Sequence, residues 1–156
     1  MNKCYIIAGV NGAGKTTLYN LLSKEVQSVN RQELAGKEAR DNIFRFIRNN
    51  EDYCQETALC GQDIIDEIRF AHEQGYYIEM HYIYIEDVET AISRVHNRVK
   101  KGGHYVPDEM ILHRFYETKE NLIKLCEIID KIYIYNNTND MKLVWEGIGI
   151  DFSVFW

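Results

Sequence analysis

The residues from Gly9 to Thr16 have the types and the spacing of a phosphate-binding loop. They match the pattern G-x-x-x-x-G-K-[ST] in full, as Gly9-Val10-Asn11-Gly12-Ala13-Gly14-Lys15-Thr16. Glycines in such a loop let successive backbone N–H groups turn toward one anion, because no Cβ atoms stand in the way. The lysine brings a positive charge to the β- and γ-phosphates, and the threonine hydroxyl can ligate Mg²⁺. The pattern therefore predicts a nucleoside triphosphate and Mg²⁺ as ligands, with Lys15 on the phosphates and Thr16 on the metal.

The segments on either side of this loop provide the setting that the motif requires. Tyr5-Ile6-Ile7-Ala8 is an apolar run typical of a buried strand, and apolar residues at helical spacing begin after Thr16. The N-terminus of that helix would point its partial positive charge at the same phosphates. We therefore predict that the nucleotide is bound by Gly9, Asn11, Gly12, Ala13, Gly14, Lys15, Thr16 and Thr17.

The rest of the chain alternates helical and strand patterns. Apolar spacing predicts helices over 36–50, before Gly75, between residue 88 and Gly102, and from Pro107 onward. Strands are predicted at 53–57, 76–85, 132–135 and 143–145, with a short extended piece at 29–30. This alternation indicates the three-layer α/β fold of P-loop NTPases, with a mostly parallel sheet and helices on both faces. By length we predict one domain over residues 1–156.

Composition narrows the class of partner. The chain has 18 Lys and Arg against 24 Asp and Glu, a net charge of −6, which argues against nucleic acid or a membrane surface as a general partner. Met1-Asn2-Lys3 leads straight into the first strand, and no apolar run is long enough to cross a bilayer, so we expect a cytoplasmic protein. The four cysteines are scattered and are expected to be reduced.

One basic segment stands out in this acidic chain. Arg94, Arg98, Lys100 and Lys101 fall in the stretch 93–107, which contains no carboxylate, and Arg114 follows soon after it. A small-molecule kinase needs cations near the transferred phosphoryl group, because negative charge is spread over that group in the transition state. A helical lid over about residues 94–114, carrying these arginines around the Gly102-Gly103 turn, would supply them.

A GTPase is a rival interpretation. Asn137-Thr138-Asn139-Asp140 would place an imperfect guanine-binding motif after a strand. However, the chain contains no Asp-x-x-Gly segment to contact a γ-phosphate. A polar turn is therefore the simpler interpretation of residues 137–140.

Residues 3 to about 138 resemble the zeta toxin / UDP-N-acetylglucosamine kinase family of P-loop proteins. The resemblance is carried by Tyr5 to Thr17, by Glu56-Thr57-Ala58-Leu59, by Arg94 to Arg98, and above all by Gly102-Gly103-His104-Tyr105-Val106-Pro107 followed by Arg114-Phe115. It implies a kinase that transfers the γ-phosphate of ATP, or in some members GTP, to the 3′-hydroxyl of a UDP-linked amino sugar. It also implies that toxin members are held inactive by an antitoxin protein.

The same resemblance assigns roles to single residues. Lys15 and Thr16 match the phosphate and Mg²⁺ positions of the family. Arg98 and Arg114 match the arginines that face the transferred phosphoryl group, with Arg94 a weaker match. Glu56 matches a glutamate near the sugar nucleotide and the metal. The resemblance therefore predicts Lys15, Arg98, Arg114 and Glu56 as the catalytic residues.

Gln32 is the main departure from the family pattern. The family has N-A-D-E-I-A, with Asp as the base for the substrate hydroxyl, where this chain has Asn30-Arg31-Gln32-Glu33-Leu34-Ala35. A neutral amide cannot accept that proton, and Glu33 could replace the base only if the loop shifts its register. Phosphoryl transfer depends mainly on positioning and cations, so loss of the base need not abolish it.

Two hypotheses therefore remain open. The first is an ATP-dependent kinase that phosphorylates a small hydroxylated acceptor such as UDP-N-acetylglucosamine. The second is a nucleotide-binding module of the same fold that has little activity and acts through a protein partner such as an antitoxin.

Overall fold

The computed structural model describes residues 1–24, 26–30 and 36–154. The strands are β1 (Lys3–Ala8), β2 (Gln27–Asn30), β3 (Tyr53–Thr57), β4 (Tyr77–Tyr84), β5 (Lys131–Asn136) and β6 (Lys142–Gly147). The helices are α1 (Lys15–Leu22), α2 (Gly36–Arg48), α3 (Gln62–Glu73), α4 (Val88–Lys100) and α5 (Asp108–Leu125), and a 3-10 helix covers Gly149–Val154. Within the described residues, none of the helices combines the length and the hydropathy needed to cross a membrane.

The strands form one six-stranded sheet in the order β2-β3-β1-β4-β5-β6. Every neighbouring pair is parallel except β5 and β6, which are antiparallel. Only residues 137–141 separate these two strands, and so short a connection can join antiparallel strands but not parallel ones. Because β1 lies between β3 and β4, the loop that follows β1 meets the carboxyl ends of both neighbours.

Helices cover both faces of the sheet, as the alternating pattern predicted. Neighbouring residues of β1 point to opposite faces, so that Ile6 belongs to one hydrophobic core and Ile7 to the other. The first core is closed by α2, α3 and the second half of α5, and the second by α1, α4 and the first half of α5. The predicted three-layer α/β fold is confirmed.

The ends of the helices follow the local sequence closely. Gly75 adopts a left-handed conformation, with φ at 86°, one residue beyond the cap of α3. Asp87 caps α4, because its carboxylate accepts a hydrogen bond from the Thr90 backbone N–H at 2.8 Å. Pro107 was expected at the first position of α5, but the helix begins at Asp108 and Pro107 is extended just before it. The 3-10 helix at 149–154 was not predicted.

Candidate active site

The loop between β1 and α1 lies at the carboxyl edge of the sheet and is packed against several elements. Gly12 and Gly14 have φ angles of 83° and 97°, in the left-handed region that favours glycine. A Cβ atom on Gly12 would lie 2.8 Å from the carbonyl oxygen of Ala91 in α4, and one on Gly14 would collide with the Asn137 side chain. These glycines therefore let α4 and the turn after β5 approach the loop closely.

Lys15 begins α1 and is buried beneath the loop. Its side chain is 3% exposed, and its Nζ donates a hydrogen bond to the Gly9 carbonyl oxygen at 2.6 Å. Burial lowers the pKa of Lys15 from 10.5 to about 8; the charge of Glu56 opposes this change, and the charges of Arg114 and Arg98 add to it. A phosphate group at this place would favour the protonated lysine, because it supplies negative charge at close range.

Arg98 and Arg114 reach the same region from the predicted lid. Arg98 lies in the last turn of α4, and its Nε is buried without a hydrogen-bond partner among the described residues. Arg114 lies in α5, and its Nη1 donates a hydrogen bond to Oδ1 of Asn11 in the loop at 2.9 Å. A buried, unpaired guanidinium N–H costs free energy, and an anion such as a phosphate can offset that cost.

Arg94 is placed differently, although it lies only one turn before Arg98. Its Nη1 donates to the Gly12 carbonyl oxygen at 3.3 Å, and its Nη2 donates to the Thr138 carbonyl oxygen at 2.9 Å. The side chain therefore ties the phosphate-binding loop to the turn after β5. These bonds commit the guanidinium to two backbone carbonyls and make Arg94 a scaffold residue of the loop.

Two clefts open beside the loop. The larger cleft has a volume of about 610 Å³, and its lining includes Asn11, Lys15, Glu56, Thr57, Arg98 and Arg114. The smaller cleft has a volume of about 390 Å³ and is lined by Gly12, Gly14, Thr16, Arg94, Asn97, Arg98 and Asn137. Arg98 lines both clefts, so that its side chain lies at the boundary between them.

The structure brings together the four residues predicted to be catalytic, since Lys15, Glu56, Arg98 and Arg114 all line the larger cleft. Glu56 is 1% exposed and is held in β3 by its pairing with Ile7 of β1.

The predicted nucleotide-binding residues divide among several places. Asn11 lines the larger cleft, whereas Gly12, Gly14 and Thr16 line the smaller one; Gly9 and Ala13 are buried in the loop, and Thr17 is exposed on α1 outside both clefts. Gln32 and Glu33 lie outside the described residues.

Thr16, the predicted Mg²⁺ ligand, lies at the smaller cleft. It is exposed and is one of the residues that line this cleft. Over the described parts of the chain, no group of three or more His, Cys, Asp and Glu side chains is arranged to bind a metal. A single Thr16 hydroxyl is compatible with Mg²⁺, which commonly binds through one or two protein ligands and takes its other oxygens from phosphate groups and water.

Asn137 is a site residue whose position the sequence analysis missed. Its Nδ2 donates to the Ala13 carbonyl oxygen at 2.9 Å, and its side chain lines the smaller cleft. The sequence pattern of residues 137–140 predicts only a polar turn. The available signal was its place directly after β5, because ligands of α/β sheets bind beyond the carboxyl ends of the strands.

The fold has counterparts among solved structures. A structure of the PezAT chromosomal toxin–antitoxin system of Streptococcus pneumoniae aligns with a TM-score of 0.70 and 18% identity, over 94% of this chain and 71% of that one. The ATP complex of AvrRxo1-ORF1:-ORF2 aligns with a TM-score of 0.65 and 13% identity, over 96% and 59% of the two chains. A proposed kinase from Chloroflexus aurantiacus aligns with a TM-score of 0.54 and 12% identity, over 69% of this chain and 73% of that one. At identities this low, the alignments of structure establish a shared fold.

Comparisons of sequence give the family. An uncharacterized protein of Haemophilus influenzae is 31% identical over 73% of this chain and 93% of its own length. A family model described as ABC transporter matches residues 1–142, which include the phosphate-binding loop and the first five strands. The chain therefore belongs to the family of P-loop NTPases that this ABC transporter model describes, and its nucleotide-binding fold is like that of the P-loop kinases and toxins.

Proposed function

We propose that this chain is an ATP-dependent kinase of a small hydroxylated molecule, with a UDP-linked amino sugar as the leading acceptor. The observation that carries the proposal is the presence of two clefts beside the phosphate-binding loop, with Arg98 lining both of them. A kinase must hold a nucleotide and an acceptor on opposite sides of the transferred phosphoryl group, so that the attacking and leaving oxygens are in line. A protein that only binds nucleotide would need one cleft.

In this proposal the nucleotide lies against the loop, mainly in the smaller cleft, and its γ-phosphate reaches the side of the larger cleft that Lys15 lines. The backbone N–H groups of the loop and Lys15 bind the β- and γ-phosphates, and Thr16 holds Mg²⁺, with GTP as a second candidate nucleotide. When bound, Mg²⁺ neutralises phosphate charge. Arg98 and Arg114 meet the charge of the transferred group from the lid. The orphaned Nε of Arg98 supports this assignment.

The acceptor would occupy the larger cleft. A volume of about 610 Å³ lies within the usual range of small-molecule sites. Glu56 would accept a hydrogen bond from an acceptor hydroxyl, while the nearby cations would interact with a diphosphate. The resemblance to the zeta toxin family and the similarity in fold to the PezAT structure support a UDP-linked amino sugar.

Transfer of label from ATP tests the proposal directly. The protein is incubated with Mg²⁺, γ-labelled ATP and UDP-N-acetylglucosamine or a panel of other hydroxylated acceptors, and products are separated by chromatography and identified by mass. We expect a phosphorylated sugar nucleotide. Lys15→Ala should abolish its formation, whereas Lys24→Ala, at an exposed lysine near the end of α1, should not. Tight ATP binding without transfer to any acceptor would reject the kinase.

The second candidate is a nucleotide-binding module that acts through a protein partner, such as an antitoxin. It is favoured by Gln32, which stands where the zeta toxin family has its acidic base. Two of the structures that share the fold, PezAT and AvrRxo1-ORF1:-ORF2, are of a two-component toxin–antitoxin system and of a two-protein complex. A stable complex between this chain and a coexpressed small protein, formed by a chain without transferase activity, would support this candidate.

A further inference from the structure

Helix α5 bonds to three consecutive residues that follow β3. The Leu59 carbonyl oxygen accepts a hydrogen bond from Nδ2 of Asn121 at 2.9 Å. The Gly61 backbone N–H donates to Oε1 of Glu117 at 3.0 Å. Between them, Sγ of Cys60 lies 3.9 Å from the Arg114 carbonyl oxygen. Each residue of the segment 59–61 therefore contacts α5 through a polar atom.

The side chains on α5 lie on one face of the helix. Positions 114, 117 and 121 are separated by three and four residues, which places them above one another on successive turns. The same face therefore carries Arg114 into the larger cleft and holds the segment after β3 with Glu117 and Asn121. Any movement of segment 59–61 relative to α5 would change the position of Arg114 relative to β3.

Leu59 has a backbone conformation that is unfavourable for a residue with a Cβ atom. Its φ angle is 58°, in the left-handed region that is uncommon for leucine, and the residue is fully buried. Its N–H donates to Oγ1 of Thr57 at 2.9 Å, and its carbonyl accepts the bond from Asn121. These two bonds hold Leu59 in place: the one to Thr57 ties it to the end of β3, and the one from Asn121 ties it to α5.

We infer that Asn121 is a positioning residue, which sets the distance between Arg114 on α5 and Glu56 on β3 by holding the Leu59 carbonyl. Asn121 is 3% exposed and lines neither cleft, so it acts through its neighbours and not on a substrate. Ala58 and Cys60, on either side of Leu59, line the larger cleft and would move with it. The effect on phosphoryl transfer rests on the proposed function, whereas the hold on segment 59–61 does not.

The test compares Asn121→Ala and Asn121→Leu with Thr118→Val. Asn121→Leu keeps roughly the volume of the side chain and has no hydrogen-bond donor. Thr118 is also buried and lies one turn earlier on α5, near Tyr82 of the sheet, so its replacement changes a buried polar side chain of the same helix without touching segment 59–61. Urea unfolding measures the free energy of unfolding of each variant, and the other measurements are compared under conditions in which the variants are equally stable.

Two measurements separate positioning from mere stability. The first is the rate at which iodoacetamide alkylates Cys60, in a Cys126→Ser background, since Cys4 and Cys54 are buried. The second is kcat for phosphoryl transfer beside the equilibrium affinity for ATP. We expect both Asn121 variants to speed alkylation and to lower kcat on the order of tenfold to a hundredfold with ATP affinity unchanged, because a small misplacement of a reacting group is costly. Thr118→Val should change neither.

Three results would overturn the inference. They are an unchanged alkylation rate in both Asn121 variants, an unchanged kcat despite faster alkylation, and equal effects of the Asn121 variants and Thr118→Val at matched stability. If the wild-type protein transfers no phosphoryl group, the proposed function fails, and the alkylation comparison still decides whether Asn121 holds the segment.

Discussion

Replacing Lys15 by Met should stabilise the nucleotide-free protein at pH 7 while it abolishes nucleotide binding. Burial lowers the pKa of Lys15 to about 8, which means that the folded protein holds the charged form at a cost. Met is similar in length and carries no charge, so the variant avoids that cost. Lys15, on which nucleotide binding depends, would then lower the free energy of unfolding of the nucleotide-free protein.

The size of the effect follows from the change in pKa. The value falls from 10.5 to about 8, and one pKa unit is worth about 1.4 kcal/mol, so charging Lys15 in the folded protein costs about 3 kcal/mol at pH 7. The variant also leaves the Gly9 carbonyl oxygen without its donor, which costs about 1 kcal/mol. We therefore expect Lys15→Met to raise the free energy of unfolding at pH 7 by about 2 kcal/mol.

The difference between the two proteins should depend on pH in one direction. Between about pH 8 and 10.5 the folded wild-type protein has released the Lys15 proton, whereas the unfolded chain still carries it. Because the unfolded state binds more protons in this window, raising the pH stabilises the wild-type protein relative to the variant. The penalty is thus present in full below about pH 8 and is lost by about pH 10.5.

Urea unfolding of both proteins at pH 7 and at pH 10.5, without nucleotide, measures the prediction. Other groups that titrate in this range are common to the two proteins and cancel in the comparison. Lys24→Met, at an exposed lysine, is the matched control and should show a difference from wild type that does not change with pH. The reasoning would be refuted if the free energies of unfolding of Lys15→Met and wild type differed by the same amount at pH 7 and pH 10.5. It would also be refuted if the variant were less stable than wild type at pH 7.

Three further predictions address the proposed site. Arg98→Ala should lower kcat about 10²–10³-fold with nearly unchanged ATP affinity, because the arginine acts mainly on the transition state; steady-state kinetics and equilibrium binding measure both, and equal losses would contradict that role. Thr16→Ala should raise the Mg²⁺ concentration needed for half-maximal activity, and Thr16→Ser should not; a Mg²⁺ titration that is the same for both would remove Thr16 from the metal site. Gly14→Ala should destabilise the protein by about 1–3 kcal/mol in urea unfolding, since its φ is 97° and the new Cβ would collide with Asn137. Asn137→Ala should relieve part of that loss, and a full loss in the double variant would show that the collision does not matter.

Much of the fold could be predicted because its signals are local. The alternation of β1, the helical spacing of Val88 to Val99 and the glycine at position 75 each concern residues within a few turns of one another. The 3-10 helix after β6 was harder to predict, because it depends on what the last part of the chain can pack against.

The candidate site shows the same division in its two lid arginines. Arg94 and Arg98 are the same residue type on the same helix, one turn apart, and a sequence pattern treats them alike. The structure separates them, because Gly12 and Thr138 present carbonyl groups to Arg94, whereas Arg98 lines both clefts. Neither partner of Arg94 is close to it along the chain.

By itself the sequence determined the phosphate-binding loop, the order of helices and strands, and the kinds of side chain that could meet a phosphate. Those properties follow from backbone conformation and residue chemistry over short stretches of chain. Only the tertiary structure decided which cations share a cleft with Glu56, that Asn137 lines the smaller cleft, and that Asn121 donates a hydrogen bond to the Leu59 carbonyl oxygen. Each of these depends on contacts between residues that are distant in the chain, and the packing of the whole sheet and its helices sets those distances.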